Sequence, residues 1–352
     1  MSEPLVDVVV PLHRRDRDIS TAVRSAHPDL QGVATRVTVV LHDLEADRAL
    51  RDRIGPDARV LECRDGIPSP SGPRNVGLAA ATAPFVFFLD SDDSLAPACL
   101  ARLHEVARDT SADVVLPSIR RDGRYVGTPL VVSRRARILD PAAHQLFLRS
   151  HVPALLRRSA LDDAGIRYPG GIRSGEDFVV MSRLFATARA ALAFDAVYEV
   201  HDSGDARASV SPLPPGEQLA AVRLVLGSPW VSALPDDRTT ALVRRILAVN
   251  LASGWRTKRG LGQEPAADEH REVRELARAT GPRAEGLLSV RDRVSLRFEL
   301  APGLASRLLQ SRPFGLIPSS WRGLASGRGP FVTELRSFLV RHRRRRPGAS
   351  AP

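Results

Sequence analysis

The sequence predicts an α/β fold with a doubly wound, mostly parallel sheet, followed by a mainly helical C-terminal region. Three observations predict it. Short apolar runs alternate with helix-like segments over the first 200 residues, an order typical of parallel strands joined by helices. Acidic residues stand at the ends of two apolar runs, where such sheets bind ligands. From Pro212 onward, helix-like segments dominate.

Five apolar runs predict strands because each is short, rich in branched or aromatic residues and bounded by turn-forming residues. These strands are residues 6–12, 37–41, 59–63, 85–90 and 113–118. The segments between them have helical character. The predicted helices are residues 19–26, 46–54, 75–81 and 97–108.

We predict three regions along the chain: an α/β domain over residues 1–211, a mainly helical region over 212–330, and a tail over 331–352. Helices are expected at 218–226, 238–251 and 268–279. In the tail, apolar residues at helical spacing continue into the basic run RHRRRR. By default this tail is solvated, and alternatively it rests on an anionic membrane or holds an anionic acceptor.

The charge and cysteine content limit the function classes. The formal net charge is +11, but residues 321–352 alone contribute eight arginines against one glutamate, so nucleic-acid binding by the whole protein is not expected. Cys63 and Cys99 have neither metal-ligand nor disulfide spacing. With no signal peptide and no transmembrane segment expected, we predict a cytoplasmic protein, with peripheral contact to the inner membrane face through 331–346 left open.

The run FVFFLDSDD carries the strongest chemical signal. A strand of five apolar residues ends in Asp90, Asp92 and Asp93. Clustered carboxylates repel one another, and a hard divalent cation offsets that repulsion. The alternative is a solvated turn before a helix, with Asp93 or Ser94 as its N-cap.

Two further segments point to the same edge of the sheet. In SGPRN, Gly72 permits close backbone approach, Arg74 offers a planar donor fork for phosphate, and Asn75 would cap the next helix. In GGIRSGEDF, Glu176 and Asp177 open a helix, which alone would stabilise its dipole. The functional alternative is a general base that takes a proton from an acceptor hydroxyl.

Together these motifs resemble family 2 glycosyltransferases with the GT-A fold. The resemblance covers residues 5–210 and rests on VDVVVPL, VTVVLHD, GPRNVGLAAA, the DSD of FVFFLDSDD and GEDF. It implies an inverting sugar transfer, with Asp90 and Asp92 binding the nucleotide-sugar through Mg²⁺ or Mn²⁺ and Asp92 as the more direct ligand. Asp177 would be the catalytic base, with Glu176 beside it.

The resemblance also implies nucleotide contacts from Pro11, Asp43, Gly72 and Arg74. A UDP-sugar donor is expected from the resemblance. Because His42 stands where the family usually has a first aspartate, other nucleobases stay open. A histidine near position 201 can complete the metal site in related enzymes, which makes His201 a third candidate ligand. A lone histidine is more often structural.

We therefore expect a nucleotide-sugar-dependent transferase that acts on a hydroxyl of a glycan, an anionic cell-wall polymer or a lipid-linked acceptor. One alternative is a nucleotidyltransferase of related fold, although PLHRRDRD lacks the glycine-rich loop expected after its first strand. The other is a non-catalytic nucleotide-sugar-binding or scaffold protein. Intact Asp90, Asp92 and Asp177 argue against that alternative, and the altered His42 position favours it.

Overall fold

The computed structural model describes residues 3–126, 138–149, 153–201, 213–214, 216–260, 262, 266–289, 292 and 296. The chain divides into two compact units. Unit 1 comprises residues 1–128, 137–139 and 150–206, and unit 2 comprises 129–136, 140–149 and 207–352. The predicted boundary at 211 and the predicted tail 331–352 lie outside the described residues, and the domain limits stay a prediction.

Unit 1 is built around one sheet of ten strands. The strands are β1 (Val6–Leu12), β2 (Thr35–His42), β3 (Arg59–Cys63), β4 (Phe85–Phe88), β5 (Ser94–Leu95), β6 (Val114–Arg121), β7 (Arg124–Val126), β8 (Ile138–Leu139), β9 (Leu155–Arg157) and β10 (Ala190–Val200). All five predicted strands are present. Most of their apolar side chains are buried, because sheet strands covered on both faces lose contact with water, whereas Val60 and Leu61 of β3 are half-buried.

The sheet order is β3-β2-β1-β4-β9-β6-β10-β5, with β7 paired to β6 and β8 paired to β10. The first four strands are parallel, which confirms the predicted parallel arrangement for this half. β9, which the sequence did not predict, runs antiparallel between β4 and β6. Because β1, β2, β3 and β4 share one direction, the residues following them meet at one edge of the sheet.

The helices of unit 1 match the predicted ones closely. They are α1 (Ile19–Ser25), α2 (Pro28–Gln31), α3 (Arg48–Ile54), α4 (Ser71–Ala80), α5 (Cys99–Thr110), α6 (Arg158–Asp163) and α7 (Glu176–Thr187). Asp18 and Asp47 cap α1 and α3, because each carboxylate accepts a hydrogen bond from a backbone N–H of the first turn. α4 begins four residues earlier than the predicted Asn75, with no side-chain cap.

A buried ion pair fixes β1 to its neighbours. Asp7, on β1, accepts two hydrogen bonds from the Arg36 guanidinium at 2.7 and 2.8 Å. It also accepts the backbone N–H groups of Thr82 and Ala83, at 2.7 and 2.8 Å. These bonds satisfy a carboxylate that would otherwise be costly to bury, and they hold the loop between α4 and β4 against the sheet.

Close packing places α4 on the sheet. A Cβ atom added at Gly77 would lie 2.2 Å from Cγ1 of Val9, a distance that real Cβ atoms do not show. Glycine is therefore required for α4 to approach β1 this closely. This approach sets the position of Arg74, one helical turn before Gly77.

Unit 2 is helical in its described residues. Its helices are α8 (Ala220–Leu226), α9 (Pro229–Ser232), α10 (Asp236–Arg245), a π-helical segment (Ile246–Ser253), α11 (Gly254–Gly260) and α12 (Ala267–Thr280), with 3₁₀ turns at Leu146–Leu148 and Ala284–Leu287. The three predicted helices of this region are present. Among the helices described, none combines the length and apolar character needed to cross a bilayer.

Candidate functional site

Arg74 is the centre of the candidate site. Its Nη1 donates to Oε1 of Glu176 at 2.9 Å and to Oδ1 of Asp177 at 2.8 Å. Its Nη2 donates to Oδ1 of Asp90 at 3.2 Å. One guanidinium thus joins the acid after β4 to the two acids that open α7. The sequence predicted these segments at one edge of the sheet but did not predict these contacts.

The surroundings of Arg74 keep it charged and in place. Its side chain is 6% exposed. Burial lowers the pKa of Arg74, but the opposing charges of Asp177, Asp90 and Glu176 raise it well above its ordinary value. The guanidinium also lies over the ring of Tyr168, 5.1 Å from the centroid, where the π-electrons favour a cation.

Asn75 holds Tyr168 in this position. Its Nδ2 donates to the Tyr168 carbonyl at 2.9 Å, and its Oδ1 accepts the Tyr168 N–H at 2.9 Å. The prediction that Asn75 caps a helix is wrong, because Asn75 lies inside α4 and its amide is used across the site. A paired amide suits this role because it matches both the donor and the acceptor of one peptide unit.

Glu176 and Asp177 differ in environment although they are neighbours. Glu176 is buried, and burial together with the Asp177 charge raises its pKa to about 7. The Asp177 side chain is 23% exposed. Asp177 lines a cavity together with Arg74, Asp90 and Tyr168. Of the two acids, Asp177 is therefore the one that a bound molecule can reach.

Asp90 and Asp92 have the chemistry of a hard-cation site. Both offer carboxylate oxygens, and their side chains are 33% and 25% exposed. Such oxygen donors fit Mg²⁺ or Mn²⁺. Each acid also contacts an arginine in this structure, since Asp90 accepts from Arg74 and Asp92 Oδ2 lies 2.5 Å from Nη1 of Arg17.

Asp93 has a different role from the one predicted. No helix begins beside it, because α5 starts at Cys99, so the prediction of a capping residue is wrong. Its carboxylate accepts the Tyr198 hydroxyl at 2.8 Å and the His201 N–H at 3.1 Å. Burial, followed by the charge of Asp90, raises the pKa of Asp93 to about 7. Through these bonds Asp93 ties the acidic loop, residues 90–93, to the end of β10.

His201 lies beside this loop, bonded to Ser94. Its Nε2 and the Ser94 Oγ are 2.8 Å apart. That nitrogen is engaged in the hydrogen bond, so metal ligation through it would require the bond to Ser94 to break. The role of His201 as a third metal ligand stays a prediction.

A second polar cluster lies where β2 and β3 end. His42 Nε2 is 2.9 Å from Oδ1 of Asp65, and Asp43 Oδ1 accepts the Gly66 N–H at 3.3 Å. A Cβ atom at Gly72 would lie 1.9 Å from Oδ2 of Asp65. Gly72 therefore makes room for Asp65, and the predicted contacts of Asp43 and Gly72 with a nucleotide stay predictions.

The donor atoms of His42, Cys63 and Asp65 lie within 4.8 Å of one another. Burial, followed by the charge of Asp65, raises the pKa of the Cys63 thiol to about 11. Asp65 already accepts hydrogen bonds from the Ile67 N–H and from His42. These groups therefore satisfy one another, and the cluster fits the polar end of a binding site better than a metal centre.

The sequence missed Arg17, Asp65, Tyr168 and Tyr198. Asp65 stands directly after the predicted third strand, so the strand-end rule that identified Asp90 also applies to it. Arg17 and Tyr168 lie in segments without a motif. Pro11 lies in β1 beside Val40 of β2, and its predicted nucleotide contact is not tested.

Residues 47–165 match the sequence model of glycosyl transferase family 2. The succinoglycan biosynthesis protein ExoO of Rhizobium meliloti (strain 1021) is 31% identical over 198 residues, which are 52% of this chain and 56% of that protein. The poly(ribitol-phosphate) β-N-acetylglucosaminyltransferase TarS of Staphylococcus aureus (strain Mu50) is 25% identical over 278 residues, 73% of this chain and 47% of TarS. The chain spans about half the length of these relatives.

A solved structure of S. aureus TarS 1–349 in complex with UDP-GlcNAc has the same fold. The TM-score is 0.66 at 18% identity, and the match covers 90% of this chain and 91% of that structure. At this level of identity the likeness concerns the fold, and it confirms the predicted GT-A architecture.

Proposed function

We propose that this chain, whose residues 47–165 match the sequence model of glycosyl transferase family 2, transfers a sugar from a nucleotide-diphosphate donor to an acceptor hydroxyl. The contact of Arg74 with Asp90 on one side and with Glu176 and Asp177 on the other supports this proposal most directly. A transferase needs a donor-diphosphate site and a base next to each other, and one arginine joins the two groups here.

The proposed donor is a UDP-sugar. The related structure named above was solved with UDP-GlcNAc, and another structure of the same TarS segment was solved with UDP. The cluster of His42, Asp43 and Asp65 at the ends of β2 and β3 would take the nucleobase, because it offers hydrogen-bonding groups of both kinds.

In the proposed reaction, Asp177 takes the proton of the acceptor hydroxyl while the hydroxyl oxygen attacks the anomeric carbon. The bond from that carbon to the diphosphate breaks, and the nucleoside diphosphate leaves. Attack from the side opposite the leaving group inverts the anomeric configuration. Asp177 fits the base because it is the more exposed of the two acids and lines the cavity.

The other acids and Arg74 prepare the site. Buried Glu176 bonds to Arg74 and thereby fixes the guanidinium beside Asp177. Asp92 and Asp90 would hold Mg²⁺ or Mn²⁺, which when bound neutralises charge on the departing diphosphate. Arg74 would then meet the diphosphate with a planar pair of donors.

The proposed acceptor is a polymer, with an anionic one favoured over a lipid-linked one. TarS is named for transfer to poly(ribitol phosphate), and ExoO for succinoglycan biosynthesis. The basic tail at 331–346 suits a polyanion by charge and also suits an anionic membrane, but it lies outside the described residues.

A donor screen tests this proposal. The unfolding temperature would be measured with UDP-, GDP- and ADP-sugars, each with manganese and with chelator, followed by nucleotide release in the presence of poly(ribitol phosphate) or a neutral glycan. We expect a UDP-sugar to stabilise the protein and UDP to be released with the anionic polymer. Stabilisation without release under any condition would indicate a binding protein, and pyrophosphate release from a nucleoside triphosphate would indicate a nucleotidyltransferase.

A further inference from the structure

Arg17 contacts Asp92, the acid that we expect to bind the metal. It lies in the loop between β1 and α1, and its Nη1 is 2.5 Å from Oδ2 of Asp92. The Arg17 side chain is only 12% exposed. No motif marks this residue, and the proposed chemistry has not used it.

The backbone of Arg17 is held firmly. Its carbonyl accepts the Ile19 N–H at 3.0 Å and a guanidinium N–H of Arg53 at 3.4 Å. Within the part of the chain that the structure describes, its buried Nε has no hydrogen-bond partner. A buried donor without a partner is unfavourable, which leaves this guanidinium with unused capacity for an acceptor.

The charges around the acidic loop follow a simple pattern. Asp90 is bonded to Arg74, and Asp92 is bonded to Arg17. A divalent cation and the Arg17 guanidinium compete for the Asp92 carboxylate, because their like charges repel at so short a distance. Cation binding at Asp92 therefore favours movement of Arg17 away from it.

We propose that Arg17 is a donor-binding residue that occupies Asp92 in the donor-free protein and moves to the donor diphosphate when the cation takes Asp92. This inference rests on the proposed function, since it needs a diphosphate next to Asp92. A diphosphate offers several acceptor oxygens, which would satisfy Arg17, including its unpartnered Nε. The Arg17 guanidinium would thereby neutralise Asp92 when the donor is absent and the diphosphate when the donor is bound.

We expect two measurable effects of Arg17→Gln, one on Mn²⁺ affinity and one on UDP affinity. If Arg17 occupies Asp92 about nine-tenths of the time, its removal raises the apparent affinity for Mn²⁺ alone about tenfold, because a competing state is lost. UDP binding at saturating Mn²⁺ should weaken on the order of tenfold, because the charge-assisted hydrogen bond from Arg17 to the diphosphate disappears.

The experiment uses the full chain. Mn²⁺ affinity is measured from the free-ion spin-resonance signal, and UDP affinity at saturating Mn²⁺ by calorimetry. Arg48→Gln is the matched control, because it removes the same charge from a side chain that is 96% exposed and whose ion pair with Asp52 lies on the surface. Arg17→Lys keeps the charge but lacks the two-pronged guanidinium. Its Mn²⁺ and UDP affinities should therefore fall between those of Arg17→Gln and those of the protein without substitution.

The outcomes separate this inference from the proposed function. Tighter Mn²⁺ binding together with weaker UDP binding supports it. Unchanged Mn²⁺ affinity overturns the competition at Asp92, and unchanged UDP affinity at saturating Mn²⁺ overturns the diphosphate contact. Both results leave the transferase proposal intact when UDP still binds with manganese. If the unchanged protein binds no UDP under any condition, the proposed function fails and this inference fails with it.

Discussion

Replacing Arg74 by methionine tests whether one guanidinium holds the site together. The substitution keeps much of the side-chain volume and removes the charge that contacts Asp90, Glu176 and Asp177 at 3.2, 2.9 and 2.8 Å. Three carboxylates then face one another without a cation. We expect the folded state of unit 1 to lose stability, and Asp177 to lose its fixed position.

The structure gives the size of the effect. Removing one partner of a buried ion pair costs about 3–5 kcal/mol, because the other charge stays buried and uncompensated. Arg74 and Glu176 are buried, but Asp90 and Asp177 are 33% and 23% exposed, so water screens part of their repulsion. We therefore expect the free energy of unfolding to fall by about 3 kcal/mol at pH 8.

Urea unfolding followed by far-ultraviolet circular dichroism measures this loss. Arg48→Met is the control, because that side chain is 96% exposed. The loss should be smaller at about pH 6, where Glu176 can accept a proton and the repulsion declines. A change below about 0.5 kcal/mol at both pH values, within the range of ordinary surface substitutions, would refute the role assigned to Arg74.

Two further predictions concern α4 and Glu176. Gly77→Ala should cost about 1–3 kcal/mol in urea unfolding and weaken donor binding, because the new Cβ would lie 2.2 Å from Val9 and push Arg74 away from the acids. Gly170→Ala is the control, since its Cβ would meet nothing within 4 Å, and equal effects of the two would contradict the packing argument. The pKa of Glu176 is raised to about 7 from 4.5, so the folded state holds a proton that the unfolded state has lost. The stability that this proton contributes is complete below about pH 4.5 and is lost as the pH rises through about 7. Glu176→Gln should therefore flatten the decline in urea midpoint between about pH 5 and about pH 8, and an unchanged slope would show that another group titrates.

The parallel half of the sheet was predictable because its signals are local. Apolar runs bounded by turn residues mark β1, β2 and β4, and the acids at 90 and 92 follow one of them directly. β9 was not predictable, because only three residues form it and its neighbours β4 and β6 are distant in sequence.

The site was predictable as a set of motifs but not as an arrangement. Arg74 and Asp177 are 103 positions apart, and no spacing rule connects them. Asn75 carries the pattern of a helix cap, yet its amide bonds to Tyr168, which is 93 positions away. The contact of Arg17 with Asp92 depends on the conformation of a polar loop, which composition does not determine.

The central claim is that Asp177 is the base of a sugar transferase whose donor site lies at Asp90 and Asp92. Measuring donor affinity by calorimetry and nucleotide release by turnover on Asp177→Asn tests it most directly. The amide keeps the shape and a hydrogen bond to Arg74 but cannot take the acceptor proton. We predict that donor affinity stays within about threefold while turnover falls at least about a hundredfold. Near-normal turnover in this variant would contradict the claim.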